Sequence, residues 1–484
     1  MKKLLNITVL VLFSLIIVQS SHAEVKLPAI VSSNMVLQRN TTITIWGWAD
    51  ADEKITITPS WLNKDLNLRA DKDGRWKIDI KTTNSKDSQT IKIVSADSNI
   101  TLENILFGEV WLCSGQSNMY QPLTGYTGQP TFGGSLAILK ANNPNLRLFS
   151  VDNIASKTAL TDLKAYTPWQ QATPESVASF SAVAYFFGQK LQETLDVPVG
   201  MIHTSWGGSK VEAWISKDVL SNYQDVNITN VNISKRAQHI STVLFNAMIN
   251  PLLNYKIQGV LWYQGESNRK EPKLYEKLFP AMVKDWRARW NIGDFPFYYA
   301  QIAPFIYEGN SKFQTTDNSA FIRESQLKCL DLIPNSGIAI TMDIGDDYCI
   351  HPPKKKEVAD RLLFNALNQT YGYKSIDYKT PIFDSQELKD NGLVLKFKNA
   401  EKGLFTYDTL KGFEIAGEDK IFYPADAKII NRKQVFVKSE KVKNPVAVRY
   451  AWKNYINGTL FSTSLLPASS FRTDVWKDAT QAKN

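Results

Sequence analysis

Serine, glycine, carboxamide and histidine residues stand directly after apolar runs of this sequence. Ser117 follows one such run within residues 115–119, which read GQSNM. A serine in a glycine-preceded turn can present both its hydroxyl and its own N–H to a substrate, and a helix that begins there adds a partial positive charge. The spacing therefore predicts a reactive serine beside a donor for developing negative charge.

Two later segments offer uncharged hydrogen-bond donors. Gly207 and Gly208 follow a second apolar run, and adjacent glycines let the backbone approach a ligand with free N–H groups. Gln264 and Asn268 follow a third run, where a carboxamide can donate to an oxyanion without neutralising it in advance. These residue types favour a site that stabilises an oxyanion.

Few histidines are available as a general base. The chain has 4, and one of them, His22, lies in a segment that we expect to be removed. His351 stands just after a fourth apolar run with carboxylates a few residues upstream, an arrangement suited to general-base catalysis. His203 and Trp206 border the glycine pair and are candidates to line the pocket, whereas His239 is predicted to flank a helix.

The elements that position these residues alternate between strand and helix. Helical spacing in 182–195 and 358–367 separates short apolar runs, which we predict to be strands, at 109–112, 199–202, 259–263, 297–302 and 337–342. This alternation predicts a three-layer α/β domain with a mainly parallel sheet. Because ligands bind at the carboxyl ends of such strands, the candidate residues are expected to meet at one edge of the sheet.

Period-2 alternation on both sides predicts flanking β-sandwich-type domains. The expected organisation is therefore a β domain at 24–104, an α/β domain at 105–373 and a β-rich domain at 374–484.

Residues 1–23 have a basic start, an apolar core and small residues before the end, as a secretory signal peptide does. We therefore expect an exported protein, periplasmic or extracellular, without a membrane span. Export permits a disulfide, with Cys329 and Cys349 as the candidate pair.

Composition and charge exclude several classes of partner and cofactor. The net charge is +9, and removal of Lys2 and Lys3 with the leader leaves a modest excess of +7 that is spread along the chain. This excess does not predict binding to nucleic acid or to an anionic membrane. The chain lacks a His-Glu-x-x-His motif and any close cluster of His, Cys and Asp, so no metal or other cofactor is predicted. The run 354–356, three lysines, is interpreted as the solvated first turn of a helix.

Taken together, these segments resemble those of the sialate O-acetylesterases of the SGNH-hydrolase class. The motifs that carry the resemblance are residues 108–119, 205–208, 262–268 and 350–352, with further similarity at 245–251, 412–417, 445–450 and 471–474. The resemblance implies an SGNH-like central domain with Ser117 as nucleophile and His351 as general base. It further implies three oxyanion donors: the N–H of Ser117, an N–H of the Gly207–Gly208 pair, and a carboxamide, for which we favour Gln264 over Asn268.

One position departs from the family's pattern. The carboxylate that orients the histidine usually stands three residues before it, and here that residue is Tyr348. Asp347, or Asp346, is the candidate to replace it. A backbone carbonyl that orients His351 would instead give a Ser–His dyad.

The implied function is a serine esterase that removes O-acetyl groups from sialic acid or sialoglycans through an acetyl-enzyme intermediate. One alternative is an O-acetylesterase for acetylated xylan or another glycan. A second alternative, from a different class, is a catalytically silent carbohydrate-binding protein. The expected partner in each case is a carbohydrate, O-acetylated for the two enzymes.

Overall fold

The computed structural model describes residues 24–229, 232–233, 235–307, 318–476 and 480–481. The predicted signal peptide, residues 1–23, lies outside the described residues. From the N-terminus the described chain forms a β-rich part, an α/β part and a second β-rich part.

The N-terminal part is built from seven strands. They are β1 (Val36–Gln38), β2 (Thr42–Trp48), β3 (Lys54–Pro59), β4 (Leu66–Arg69), β5 (Arg75–Lys81), β6 (Gln89–Val94) and β7 (Asn99–Gly115). β2 pairs antiparallel with β5, while β3 pairs with β4 and β6, and β6 with the start of β7. Their isoleucines alternate with polar residues and point into the core, which confirms the period-2 prediction.

The long strand β7 connects this part to the next without a linker. Its first residues pair antiparallel with β6, and its last seven pair in parallel with β10 (Val199–Ser205). The predicted boundary between residues 104 and 105 lies inside this strand. The two parts are therefore joined by continuous backbone hydrogen bonding.

The central part alternates strands and helices as predicted. The further strands are β8 (Asn143–Val151), β9 (Tyr166–Ala172), β11 (Gly259–Tyr263), β12 (Phe297–Ala300) and β13 (Ser336–Ala339). The helices are α1 (Ser117–Tyr120), α2 (Gly134–Leu139), α3 (Pro174–Ala178), α4 (Ala182–Leu195), α5 (Lys217–Leu220), α6 (Pro272–Trp290), α7 (Ala320–Leu332) and α8 (Lys355–Asn365). Short 3-10 turns include Val211–Trp214, Ala237–His239 and Glu266–Asn268, and π turns lie at Phe245–Ile249 and Ala366–Thr370.

The central sheet has the order β13-β12-β11-β7-β10-β8-β9, and every neighbouring pair is parallel except β8 with β9. Helices α4 and α8 pack together over one face, and α6 and α7 pack over the other. Along β7, Trp111 and Cys113 belong to the core under α4 and α8, whereas Val110 and Leu112 belong to the core on the opposite face. This arrangement confirms the predicted three-layer α/β class.

The C-terminal part returns to β-structure, as predicted. Its strands are β14 (Ile382–Lys389), β15 (Gly392–Lys398), β16 (Leu404–Phe405), β17 (Phe413–Ala416), β18 (Ile421–Pro424), β19 (Asp426–Ile430), β20 (Gln434–Lys438), β21 (Ala447–Tyr450), β22 (Phe461–Ser462), β23 (Phe471–Arg472) and β24 (Thr480–Gln481). The buried guanidinium of Arg323 on α7 donates to Ser470 Oγ at 3.0 Å and to the Lys453 carbonyl at 2.5 Å. These bonds dock the C-terminal part on the central part.

The three cysteines are free thiols, so the candidate disulfide between Cys329 and Cys349 is wrong. Cys329 is buried in α7, whereas the Cys349 thiol donates to the carbonyl of His351 at 3.0 Å. None of the helices in the described ranges combines the length and the apolar character needed to span a bilayer.

Gly115 ends β7 with φ +138°, and a Cβ there would lie 2.2 Å from the carbonyl oxygen of Tyr263. We expect Gly115→Ala to lower the free energy of unfolding by about 3 kcal/mol or more, because overpacking adds to backbone strain. Denaturant unfolding measures this loss.

Gly293 provides the matched control, because its φ is +81° and a Cβ there meets nothing within 4 Å. Gly293→Ala should lose only the roughly 1–2 kcal/mol of backbone strain. Equal losses in the two variants would contradict the close packing of β7 against β11.

Candidate active site

The predicted site segments meet at the carboxyl edge of the central sheet. Ser117 is the first residue of α1 and follows the end of β7. Gly207 follows the neighbouring strand β10, and a Cβ placed on it would lie 3.5 Å from Cβ of Ser117. The loop that follows β10 therefore lies next to the serine.

Ser117 and His351 lie beside the same tyrosine. The hydroxyl of Tyr126 donates to the carbonyl of Ser117 at 3.0 Å, and its ring packs edge-on against the His351 ring at 5.1 Å between centroids. In addition, Nδ2 of Asn118 donates to the carbonyl of Ile350 at 3.2 Å. The predicted nucleophile and the predicted base therefore belong to one site, although 234 positions separate them in the sequence.

A carboxamide faces the imidazole of His351. The Nδ1 atom of His351 is hydrogen-bonded to Oε1 of Gln129, a residue in the loop after α1. Because a carboxamide oxygen only accepts, Nδ1 carries the proton in this pair, and Nε2 is the basic nitrogen. Gln129 and Tyr126 were not singled out from the sequence, since their loop has no periodic pattern and no motif.

The aspartates upstream of His351 have different surroundings. Oδ1 of Asp346 accepts the backbone N–H groups of Tyr348 and Cys349, both at 2.8 Å, and so shapes the loop. Asp347 is half-buried, and its role as the orienting acid stays a prediction. Tyr348, which occupies the family's acid position, is 92% exposed and cannot substitute for a carboxylate.

Backbone donors are available next to Ser117. Among the hydrogen bonds of the described residues, the N–H groups of Ser117, Gly207 and Gly208 have no protein acceptor. A left-handed φ of +74° at Gly208 turns the chain here, which favours glycine. These N–H groups are available to a ligand, and their role as oxyanion donors stays a prediction.

The two candidate carboxamides are buried behind these donors. Nε2 of Gln264 donates to the Ser209 carbonyl at 2.9 Å and to Oδ1 of Asn268 at 2.8 Å, so both of its hydrogens are used within the protein. Nδ2 of Asn268 donates to Glu212 at 2.9 Å. Both side chains are fully buried and shape the loop that follows β10. A direct role of either side chain as an oxyanion donor stays a prediction.

The histidine and tryptophan that border the glycine pair differ in exposure. His203 is 5% exposed, its Nε2 lies 2.6 Å from Ser205 Oγ, and burial lowers its pKa to about 4, so it is neutral at pH 7. Trp206 is half-buried next to Gly207. His239 lies in a 3-10 turn beside the carbonyl of Gly208, with a pKa that burial lowers. It is therefore closer to the site than its sequence context indicated.

The burial of Lys355 differs most from what the sequence predicts. The lysine run 354–356 predicts a solvated turn, but Lys355 is fully buried, with Nζ 2.5 Å from Oδ1 of Asn118. Nδ2 of Asn118 in turn donates to Oε1 of Glu266 at 2.5 Å. Burial lowers the pKa of Lys355 to about 7, against the opposing effect of Glu266, and burial raises the pKa of Glu266.

The site's chemistry matches acyl transfer. It combines a half-buried serine hydroxyl, an imidazole whose Nδ1 is held by a carboxamide, and backbone N–H donors that have no protein acceptor among the described residues. Within the described ranges no group of three or more His, Cys, Asp or Glu residues is arranged to hold a metal ion.

The region that carries these groups matches one known family. Residues 108–351 match the family described as carbohydrate esterase, sialic acid-specific acetylesterase. The matched range begins in β7 before Ser117 and ends at His351, so it includes all four site segments.

Similarity to individual proteins extends over almost the whole chain. The sialate O-acetylesterase of Homo sapiens is 29% identical over 478 residues, covering 88% of this chain and 87% of the human protein. That of Mus musculus is 28% identical and covers 91% and 93%. The crystal structure of a carbohydrate acetylesterase from Xanthomonas citri aligns with a TM-score of 0.84 at 33% identity, over 93% of this chain and 100% of that one.

Gln129→Leu tests the contact at Nδ1 of His351. Loss of the acceptor should lower kcat for ester hydrolysis about 10- to 100-fold, less than the roughly 10⁴-fold lost when a triad aspartate becomes asparagine. Gln129→Glu restores an acceptor and adds a negative charge. The charge should move the acidic limb of the kcat profile to higher pH, because it favours the imidazolium.

Asp347→Asn and Asp346→Asn test whether a carboxylate, rather than Gln129, orients His351. Asn at 346 keeps an oxygen for the two backbone N–H groups, so we expect Asp347→Asn to slow turnover more than Asp346→Asn. If kcat is unchanged in Gln129→Leu but falls strongly in Asp347→Asn, then Asp347, and not Gln129, orients His351.

Proposed function

The chain belongs to the carbohydrate esterase family of sialic acid-specific acetylesterases, and from that premise we propose that it removes O-acetyl groups from sialic acids. The enzyme class is carboxylic ester hydrolase. One observation carries the proposal: Ser117, its unpaired N–H and the imidazole of His351 lie at the same edge of the sheet.

The proposed reaction begins with attack of the Ser117 hydroxyl on the acetyl carbonyl. Nε2 of His351 takes the hydroxyl proton, while Gln129 at Nδ1 holds the ring in the tautomer that leaves Nε2 basic. The N–H groups of Ser117 and Gly207 or Gly208 stabilise the tetrahedral oxyanion, and one such donor contributes about 3 kcal/mol. The carboxamides Gln264 and Asn268 support this loop.

The second half of the reaction releases the products. The C–O bond to the sugar breaks as the imidazolium of His351 protonates the departing sugar oxygen. The sugar leaves with a free hydroxyl, and the acetyl group stays on Ser117. Water, deprotonated by the same nitrogen, then attacks the acetyl-enzyme and frees acetate. These steps need no group outside the chain, since the nucleophile, base and oxyanion donors come from its own residues.

The names of the relatives and the chemistry of the site both support the proposed substrate. The human and mouse relatives are sialate O-acetylesterases, whereas the Xanthomonas citri relative is named only as a carbohydrate acetylesterase. An acetylated glycan without sialic acid is therefore the alternative substrate. Trp206, beside Gly207, is half-buried and packs against the core, and contact of its ring with a sugar is part of this proposal. We also propose export, on the basis of the basic and apolar residues 1–23.

Release of acetate from O-acetylated sialic acid and from acetylated xylan tests both the reaction and the substrate. Wild type should act faster on the sialic acid, and Ser117→Ala should lose at least about 10³-fold in kcat on either ester. Ser88→Ala, an exposed serine in the N-terminal part, is the control and should keep wild-type turnover.

Two outcomes would contradict parts of this proposal. Unchanged turnover in Ser117→Ala would exclude this serine as the nucleophile. Faster release from xylan would assign the alternative substrate, and absence of release from any acetylated glycan would favour a carbohydrate-binding protein.

A further inference from the structure

A charged cluster lies directly behind the proposed catalytic pair. Lys355, Asn118 and Glu266 are 0%, 1% and 4% exposed. Asn118 bridges the other two, because its Oδ1 accepts from the ammonium at 2.5 Å and its Nδ2 donates to the carboxylate at 2.5 Å. The three residues come from α8, α1 and the 3-10 turn after β11, so the cluster connects three segments of the sheet edge.

Asn118 also connects the serine segment to the histidine segment. It directly follows Ser117, and its Nδ2 donates to the carbonyl of Ile350, which directly precedes His351, at 3.2 Å. A rotation of the Asn118 amide would break this bond and release the histidine loop from α1. The orientation of one amide therefore affects the spacing of both catalytic groups.

The two charges fix that orientation. With Oδ1 toward the ammonium and Nδ2 toward the carboxylate, both hydrogen bonds are charge-assisted, and the flipped amide would place N–H groups against Lys355. The other groups that face Lys355 are the Tyr263 ring, 5.7 Å from Nζ, and the Cys349 thiol. Those that face Glu266 are Arg269, Tyr263, Tyr275 and Tyr307.

We infer that Lys355 and Glu266 are positioning residues of the proposed esterase reaction, whose opposite charges hold Asn118 so that Ser117 and His351 stay aligned. The inference rests on the proposed function, because it needs Ser117 and His351 to be the reacting pair. Neither charged group contacts the reacting atoms in this account. Their effect on the rate passes through Asn118.

Lys355→Met removes the ammonium while keeping most of the side chain's volume. We expect kcat to fall about 10- to 100-fold with KM changed little, because small misplacements of a catalytic group have effects of this size. Lys356→Met is the matched control, since that neighbouring lysine is exposed and pairs with Asp360 on its own helix at 2.7 Å. The control should keep wild-type kcat.

The pH profile separates positioning from a purely structural role. The pKa of Lys355 is about 7, so the wild-type ammonium is lost as pH rises above 7 and kcat should decline toward pH 9. In Lys355→Arg the guanidinium stays charged over this range, so the decline should be absent. A structural role would change the thermal midpoint and leave the shape of the profile unaltered.

A double variant covers the case in which the single substitutions fold poorly. Lys355→Met combined with Glu266→Gln leaves no uncompensated buried charge, so stability should recover while kcat stays low. Recovery of wild-type kcat in this double variant would overturn the inference.

Ser117→Ala, measured beside these variants, separates the inference from the function on which it rests. Two results would overturn the positioning role alone. One is an inactive Ser117→Ala together with wild-type kcat in Lys355→Met. The other is a decline of kcat toward pH 9 in Lys355→Arg like that of the wild type. A fully active Ser117→Ala overturns the assignment of Ser117 as the nucleophile, on which the inference rests, whereas absence of acetate release by the wild type overturns the proposed function itself. Loss of kcat in Lys355→Met, retained kcat in Lys356→Met and a flat alkaline limb in Lys355→Arg would together support the positioning role.

Discussion

The site depends on the backbone pairing of β7 at the centre of the sheet. Gly115, the last residue of this strand, is in register with Ser205 of β10 on one side and with Tyr263 of β11 on the other. Three of the four site segments therefore leave the sheet at the same level. This register alone brings Ser117 next to the glycine pair. The close approach of β11 at Gly115 leaves no room for a side chain, so this register also requires glycine.

Electrostatics divides the site into two layers. The groups that face the expected substrate are a hydroxyl, backbone N–H groups that carry partial charge, and an imidazole held by a carboxamide. Behind them lie the ionisable groups of the buried cluster, Lys355 and Glu266, which Asn118 bridges. Buried ion pairs contribute little to stability, because removing the charges from water costs free energy. They contribute more by selecting one arrangement of the groups around them. Here the cluster selects one arrangement of the segments that carry the serine and the histidine.

The sequence predicted the fold class, most strands of the central sheet and the segments of the site, because apolar runs and helical spacing are local signals. The run 259–263 is a strand with the predicted bounds, and 182–195 is a helix with the predicted bounds. What could not be predicted depends on residues far apart in the chain. Gln129 meets His351 across 222 positions, and Lys355 meets Asn118 across 237. A lysine between two other lysines has the local pattern of a solvated turn, and only its distant partners explain why it is buried.

In the proposed reaction, one serine at this sheet edge carries the acyl group during turnover. Rapid acid quenching of the enzyme with an O-acetylated sialic acid, followed by peptide mapping by mass spectrometry, detects such an intermediate. We expect one added acetyl group, located on Ser117 and formed within a single turnover. Acetylation confined to another residue, or turnover without any acetylated intermediate on the peptide that contains Ser117, would contradict it.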